Sequence, residues 1–329
     1  MSMPGTILIS RTDSIGDVML TLPLAGILKE QYPGTEVVFL GKGYTAPVLA
    51  CCSHVDRVVT REDLVAGGVG ALKDIGADAI IHVLPDRALA WLAVRAGIPV
   101  RIGTSHRWWH WFTANARVPL GRRNSDRHEA QLNAMLLGPL GIRAAWTLEE
   151  LVARTGFSAP VPDEAVRALL RPDRERVILH PGSQGSAVEW GLERFAELVR
   201  LLPPERYQVI ITGTAKEGAA LRAGLPMELP QVTDATGLFD LHQLITLIGA
   251  SDALVAASTG PLHIAAACGI RAVGLYSPRR PIHPGRWAPI GRDAHALVND
   301  PDCARCAKGD PCDCIGRISP QRVLELLER

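Results

Sequence analysis

Aromatic residues make up only 5% of this 329-residue chain, and its formal net charge is just +1. So small a charge gives no general attraction to nucleic acid, and any anionic partner must meet a local basic patch. No apolar run reaches membrane-spanning length. The opening Met1-Ser2-Met3-Pro4-Gly5 lacks the charged and apolar sections of a signal peptide, so the expected location is cytoplasmic. The Gly-rich loop His180 to Ser186 has neither the Lys-Ser/Thr ending of a P-loop nor the GxGxxG spacing of a dinucleotide fingerprint, so it supports neither an ATPase nor a dehydrogenase. What is there describes a soluble globular protein, 47% hydrophobic and 21% charged, long enough for two α/β domains rather than one core.

The organisation follows from periodicity. Thr6 to Ser10, Glu36 to Leu40, Arg57 to Val59 and Asp78 to Val83 are strand candidates, with helical spacing over Val18 to Tyr32, Leu64 to Ile75 and Arg87 to Arg95. This alternation is the βαβ pattern of a parallel sheet. Around 155 to 175 the chain turns to Gly, Ser, Pro and charge, and strands resume at 177–180, 207–212, 252–256 and 272–276. The expectation is two Rossmann-like, doubly wound domains, residues 1–160 and 161–329, facing a central cleft where ligands meet the carboxyl ends of the strands. A short helix over 319–329, capped by Ser319 and Pro320, closes the chain.

Loops after strands are where chemistry should be sought. Ser258-Thr259-Gly260-Pro261-Leu262-His263 joins a buried strand to a helix with Pro in its first turn. Free N–H groups and the macrodipole at such a start attract a diphosphate. The loop Arg11-Thr12-Asp13-Ser14-Ile15-Gly16-Asp17 admits two readings. Asp17 is either a carboxylate held by the helix dipole, with Asp13 as N-cap, or a general base for a substrate hydroxyl. His180-Pro181-Gly182-Ser183-Gln184-Gly185-Ser186 is either a plain turn or a phosphate nest in which Ser183 and Gly185 donate. Glu217, opening the helix after Thr212-Gly213-Thr214, is either a helix-start acid or an acceptor for ribose hydroxyls.

In this order the loops resemble the motif blocks of glycosyltransferase family 9, the ADP-heptose:lipopolysaccharide heptosyltransferases. Thr6 to Pro23 looks like the opening block and Ser258 to His263, with the helix beyond, like the C-terminal one. The resemblance implies a GT-B fold, with acceptor bound mainly by the first domain and nucleotide sugar by the second. It implies that Asp17 is the catalytic base, that Thr259 and Gly260, with Ser258 and His263 in the same block, hold the donor diphosphate, and that Glu217 contacts the nucleotide. Two departures stand out: Val188 where family members commonly carry Lys, and Ser258 where many have Asp. A cation there stabilises the leaving group, so Arg279, Arg280 or Arg286 are candidate substitutes.

Three of the seven Trp fall within Trp108-Trp109-His110-Trp111. With Arg107, Arg122 and Arg123 they read either as a surface for membrane headgroups and an anionic lipid-linked acceptor, or as a helix interface packed by Trp108 and Trp111 and capped by Trp109. Asp13 joins those arginines as a candidate acceptor contact. Asn124 to Glu129 opens a helix, with capping as its role and acceptor contacts as the alternative.

Cys303, Cys306, Cys312 and Cys314 begin like a zinc-type ligand pair, but the second pair is separated by one residue. A four-thiolate structural metal site, reduced thiols and disulfides are all open. Cys51, Cys52 and Cys268 are packing residues.

The expected activity is therefore an inverting glycosyltransferase that moves a sugar, heptose favoured, from a nucleotide diphosphate such as ADP-heptose to a lipopolysaccharide-like hydroxyl. No cofactor is required for that step, and peripheral contact with an inner membrane is an accompanying expectation. The alternatives are a nucleotide-sugar epimerase or hydrolase of the same fold, and a nucleotide-sugar-binding protein without catalysis.

Overall fold

Apolar runs such as Ile7-Leu8-Ile9 and Val37-Val38-Phe39-Leu40 carry no polar alternate positions, so they suit strands covered on both faces. The computed structural model describes residues 4–122, 125–310 and 312–329, and twelve strands form among them. The first six are β1 (Thr6–Ser10), β2 (Glu36–Gly41), β3 (Arg57–Thr60), β4 (Ala79–His82), β5 (Val100–Thr104) and β6 (Ala116–Val118). They pair in parallel in the order β3-β2-β1-β4-β5-β6. The second six are β7 (Glu175–His180), β8 (Tyr207–Ile211), β9 (Val232–Asp234), β10 (Ala253–Ala257), β11 (Arg271–Tyr276) and β12 (Ala294–Val298). Their parallel order, β12-β11-β10-β7-β8-β9, is the first sheet's order counted from β7.

Both sheets are thus doubly wound, as expected. Each belongs to its own unit, Met1–Ser158 and Ala159–Arg329. The first is filled by Leu8, Val38, Leu64, Leu72, Ile80 and Leu89. In the second, Val177, Leu179, Trp190, Phe195, Val255 and Leu324 form the corresponding core. No helix of the described residues is long and apolar enough to cross a membrane.

Strand order reverses between β1 and β4 in one sheet and between β7 and β10 in the other. Loops leaving the carboxyl ends of such strand pairs turn to opposite faces and open a crevice for ligands. The loops at Arg11 to Asp17 and at Thr259 leave β1 and β10, so each lies at its own sheet's reversal.

One helix expected as continuous is broken. In place of Val18 to Tyr32 there are helices Ile15–Met19 and Leu22–Gln31. Pro23 lies in the first turn of the second, where its missing N–H costs nothing, while inside a single helix its ring would meet the carbonyl four residues back. The break brings Asp17 to the short first helix, directly after the β1 loop.

Candidate active site

In the first unit, chemistry gathers around Arg11, which is only 4% exposed. Its Nε donates to Asp13 Oδ1 at 2.8 Å and its Nη1 to Glu129 Oε1 at 3.2 Å, while its Nη2 is paired with Asp17 Oδ1. Burial disfavours charge on Arg11, but Asp17, Asp13 and Glu129 together outweigh it and hold its pKa above the ordinary value. Glu129 is completely buried and also receives Arg122 Nε at 2.9 Å. The Arg122 Nη2 reaches Asn133 Oδ1 at 2.8 Å, and Asn133 in turn donates to Leu20 O and Thr21 Oγ1 at 3.2 Å.

Asp17 lies in the first turn of Ile15–Met19, and its side chain is 16% exposed. Besides Arg11 it receives the Ser14 hydroxyl, while Thr21 Oγ1 donates to its backbone carbonyl at 2.8 Å. The N-cap position belongs to Ser14, not to Asp13 as one sequence reading had it. Asp13 precedes it, and its carboxylate accepts from Arg11 instead of capping the helix. Burial pushes the Asp13 carboxyl up to about 6, against the pull of Arg11 and with a contribution from Asp17. A folded value above the unfolded 3.8 means that the Asp13 charge costs stability progressively as pH rises from that value towards about 6, and the cost persists above it.

Asp13 and Arg122 are therefore brought together, through Arg11 and Glu129, while Arg107 stands apart. Its guanidinium lies 5.7 Å from the Trp109 ring. Trp108, Trp111 and Phe112 are 57%, 59% and 69% exposed, so Trp108 and Trp111 do not fill a helix interface. Instead Arg87 stacks 5.0 Å from Trp108 and Arg117 4.6 Å from Trp111. Trp109 does occupy the N-cap of helix His110–Thr113. Arg123 and Asn124 lie outside the described residues. The helix Glu129–Met135 is capped by His128 in a reciprocal pair with Gln131.

In the second unit Thr259 is the N-cap of helix Gly260–Cys268, with Pro261 in its first turn. Its hydroxyl makes no capping bond, is buried and has no hydrogen-bond partner. An unpaired buried hydroxyl costs about 1–3 kcal/mol, a cost a ligand acceptor or donor would relieve. Gly260 begins the helix and His263 is buried along it. The Ser258 hydroxyl is bonded to the phenol of Tyr276, whose own proton goes to Trp287 O at 2.8 Å. Burial pushes the Tyr276 pKa up, so the phenol stays neutral.

The loop after β7 is held from within. Ser183 N and Oγ each lie 2.8 Å from Glu189 Oε1, and Gly185 N donates to Ser183 Oγ at 3.2 Å. Glu189 gave no signal in the sequence beyond its place beside Trp190. Glu217 Oε2 accepts from Thr214 N at 2.8 Å and Oγ1 at 2.6 Å, completing a capping box. Its other oxygen lies against Gly182, where an added Cβ would stand 2.1 Å away. Only glycine at 182 lets that carboxylate reach the β7 loop. Arg279 and Arg280 are exposed in the loop after β11, and Arg286 is buried, with its guanidinium 5.0 Å from the Trp287 ring. Val188 is 39% exposed. Further along, Cys303, Cys306, Cys312 and Cys314 place all four sulfurs within 4.8 Å of one another.

Residues 70–315 match the model of a family described as glycosyltransferase family 9 (heptosyltransferase). The chain belongs to glycosyltransferase family 9. It is accordingly a glycosyltransferase, and the matched stretch holds every donor-side candidate named above, while Asp17 precedes it. Lipopolysaccharide heptosyltransferase 2 of Salmonella typhimurium is 26% identical over 344 aligned positions, covering 95% of this chain and 94% of that protein. Among solved structures, a family 9 glycosyl transferase from Veillonella parvula superposes with a TM-score of 0.78 at 20% identity, over 100% of this chain and 99% of that one. ADP-heptose lps heptosyltransferase II of E. coli gives 0.76 at 22% identity, over 98% and 97%. The family 9 chain therefore has the GT-B architecture of two Rossmann-like domains.

Proposed function

We propose that this family 9 enzyme transfers a heptose from ADP-heptose to a hydroxyl of a lipopolysaccharide-type acceptor, inverting the anomeric carbon. The names of the Salmonella and E. coli relatives support the donor and acceptor classes. The observation that carries the chemical reading is the unpartnered Thr259 hydroxyl at the head of helix Gly260–Cys268, on the loop leaving β10 at the sheet's reversal. There the helix N-terminus, Thr259 and Gly260 receive the diphosphate. Ser183, Gly185, Ser258 and His263 complete the donor half, and Glu217 the nucleotide contact. Arg279 and Arg280 follow β11, the strand beside β10, and supply the positive charge that Val188 does not.

The first unit handles the acceptor. Asp17 takes the proton from the acceptor hydroxyl as that oxygen bonds to the anomeric carbon. The bond from that carbon to the diphosphate breaks on the opposite face, and its electron pair leaves on the phosphate oxygen as ADP. Proton, nucleophile and leaving group balance without a redox partner or a catalytic cofactor. Asp13, Arg107, Arg122 and Arg123 are assigned to the anionic acceptor.

ADP release from ADP-heptose is expected only when a heptose-accepting lipopolysaccharide core is also present. Release at the same rate without acceptor points to a hydrolase, and conversion of the sugar without ADP release points to an epimerase. Donor binding with no turnover over an acceptor panel leaves a binding protein.

The exposed Trp108, Trp111 and Phe112, interleaved with Arg87, Arg107 and Arg117, are assigned to the headgroup region of an anionic membrane. Trp111→Ala combined with Phe112→Ala is expected to reduce cosedimentation with phosphatidylglycerol vesicles several-fold at an unchanged melting temperature. Undiminished cosedimentation removes the assignment.

A further inference from the structure

The cysteines near the carboxyl end take no part in the proposed transfer, yet their arrangement is specific. Cys303 and Cys306 bracket the start of helix Ala304–Lys308. Gly309, with φ 80°, then turns the chain back so that Cys312 and Cys314 come onto the same pair. The sulfur–sulfur separations are 3.7 Å for Cys303–Cys312, 3.7 Å for Cys306–Cys314 and 3.0 Å for Cys312–Cys314. Four sulfurs bound at about 2.3 Å around one tetrahedral ion lie about 3.8 Å apart. A disulfide would instead need about 2.05 Å, and all four thiols are free. Cys306 and Cys314 are each 3% exposed, so the ligands stand partly shielded from water.

The surroundings say what such a centre would do. Cys306 Sγ lies 3.8 Å from Ser277 Oγ, at the point where the chain leaves β11 for the loop that carries Arg279, Arg280 and Arg286. On the other side, Cys314 leads into Ile315, buried in the core, and Ile318, whose carbonyl accepts Trp190 Nε1 at 2.9 Å. Arg194 Nε donates to Gly316 O at 2.9 Å in the same turn. The cysteine cluster therefore stands between the strand-end arginine loop and the segment that feeds the last helix, Pro320–Leu327.

We propose that Cys303, Cys306, Cys312 and Cys314 form a closed tetrahedral site for one thiophilic divalent ion of the zinc class, and that the ion acts as a structural clip holding the loop after β11. All four positions are filled by protein sulfur, so the ion has no place for substrate or water and no part in the transfer step. Each thiol gives up its proton on binding the metal, so binding strengthens as pH rises.

The whole chain, purified without chelator, is expected to carry close to one equivalent of zinc or iron by elemental analysis. After chelation under reducing conditions, Co(II) alone is added as the probe. Thiolate-to-cobalt charge transfer and the intense visible bands of tetrahedral cobalt are expected at one equivalent. Cys312→Ser with Cys314→Ser abolishes those bands, whereas Cys268→Ser leaves them unchanged. Hydrogen exchange over 277–290 should rise on chelation and fall again on Co(II) addition. Failure of the metal-free chain to bind Co(II), or a mass lowered by formation of two disulfides in the purified protein, overturns the site. Cobalt bound with unaltered exchange over 277–290 overturns the clip. None of these readouts depends on donor or acceptor identity, so they fail or hold separately from the transferase reading.

Discussion

Asp17→Asn is expected to lower kcat for transfer by about 10²–10⁴-fold, the usual worth of a positioned general base, while the dissociation constant of the nucleotide sugar stays unchanged. An amide keeps the carboxylate's shape and one acceptor oxygen for Arg11, but it cannot take up a proton. Arg11 also retains Asp13 and Glu129, so the loop after β1 keeps its anchor and the variant folds. Asp13→Asn is the matched control, because the two carboxylates share one guanidinium. Burial pushes Asp13 up to about 6, so a reaction using it as base would gain activity as pH rises through that value and lose it in Asp13→Asn. Steady-state rates and donor binding by calorimetry separate the cases. Full activity in Asp17→Asn, with loss in Asp13→Asn, moves the base to Asp13 and sinks the present assignment.

The loops that carry the candidate site were legible in the sequence because each follows an apolar run. Gly16-Asp17 and Thr259-Gly260-Pro261 follow uninterrupted apolar runs, and such runs became β1 and β10. What stayed hidden was whatever depends on residues far apart in sequence. Arg11 and Glu129 are separated by 118 positions, and Glu129 looked like an ordinary helix-start acid. Only the β3-β2-β1-β4-β5-β6 wrapping brings the segment after β6 back beside the β1 loop. The unread strands fail for a different reason. β6 and β9 have three residues each at sheet edges, β12 is an edge strand interrupted by His295, and β5 contains Arg101 and Gly103, so none presents a clear apolar run. Ser183 illustrates the limit of loop reading. Its hydroxyl and Gly185 N were read as donors for phosphate, yet Glu189 and Ser183 itself already accept those hydrogens in the folded loop. Donor binding at that loop therefore entails exchanging an internal bond for one to the ligand.

Glu129→Ala is expected to destabilise the first unit by about 3–5 kcal/mol, because it removes a buried carboxylate from between two guanidinium groups. Glu129 is fully buried and Arg11 is 4% exposed, so water cannot replace the lost charge. Arg11 keeps Asp13 and Asp17, and Arg122 keeps Asn133, but both cations lose the acceptor that they share. For a unit of this size the loss corresponds to a fall in melting temperature of about 2–4 °C per kcal/mol, followed by circular dichroism. Glu129→Gln separates charge from packing. It fills nearly the same volume and keeps one acceptor oxygen, so a fall as large as that of Glu129→Ala assigns the effect to charge, and a much smaller one to packing. Transfer by the folded fraction of Glu129→Gln is also expected to fall, since Arg11 is then held more strongly towards Asp13 and Asp17 and binds the base more tightly. Glu129→Ala melting within about 2 °C of the parent, less than one kcal/mol on this scale, would show that the buried carboxylate does not anchor the β1 loop. The ordering of Asp17 would then rest on its direct pair with Arg11, itself held by Asp13, together with Ser14 and Thr21.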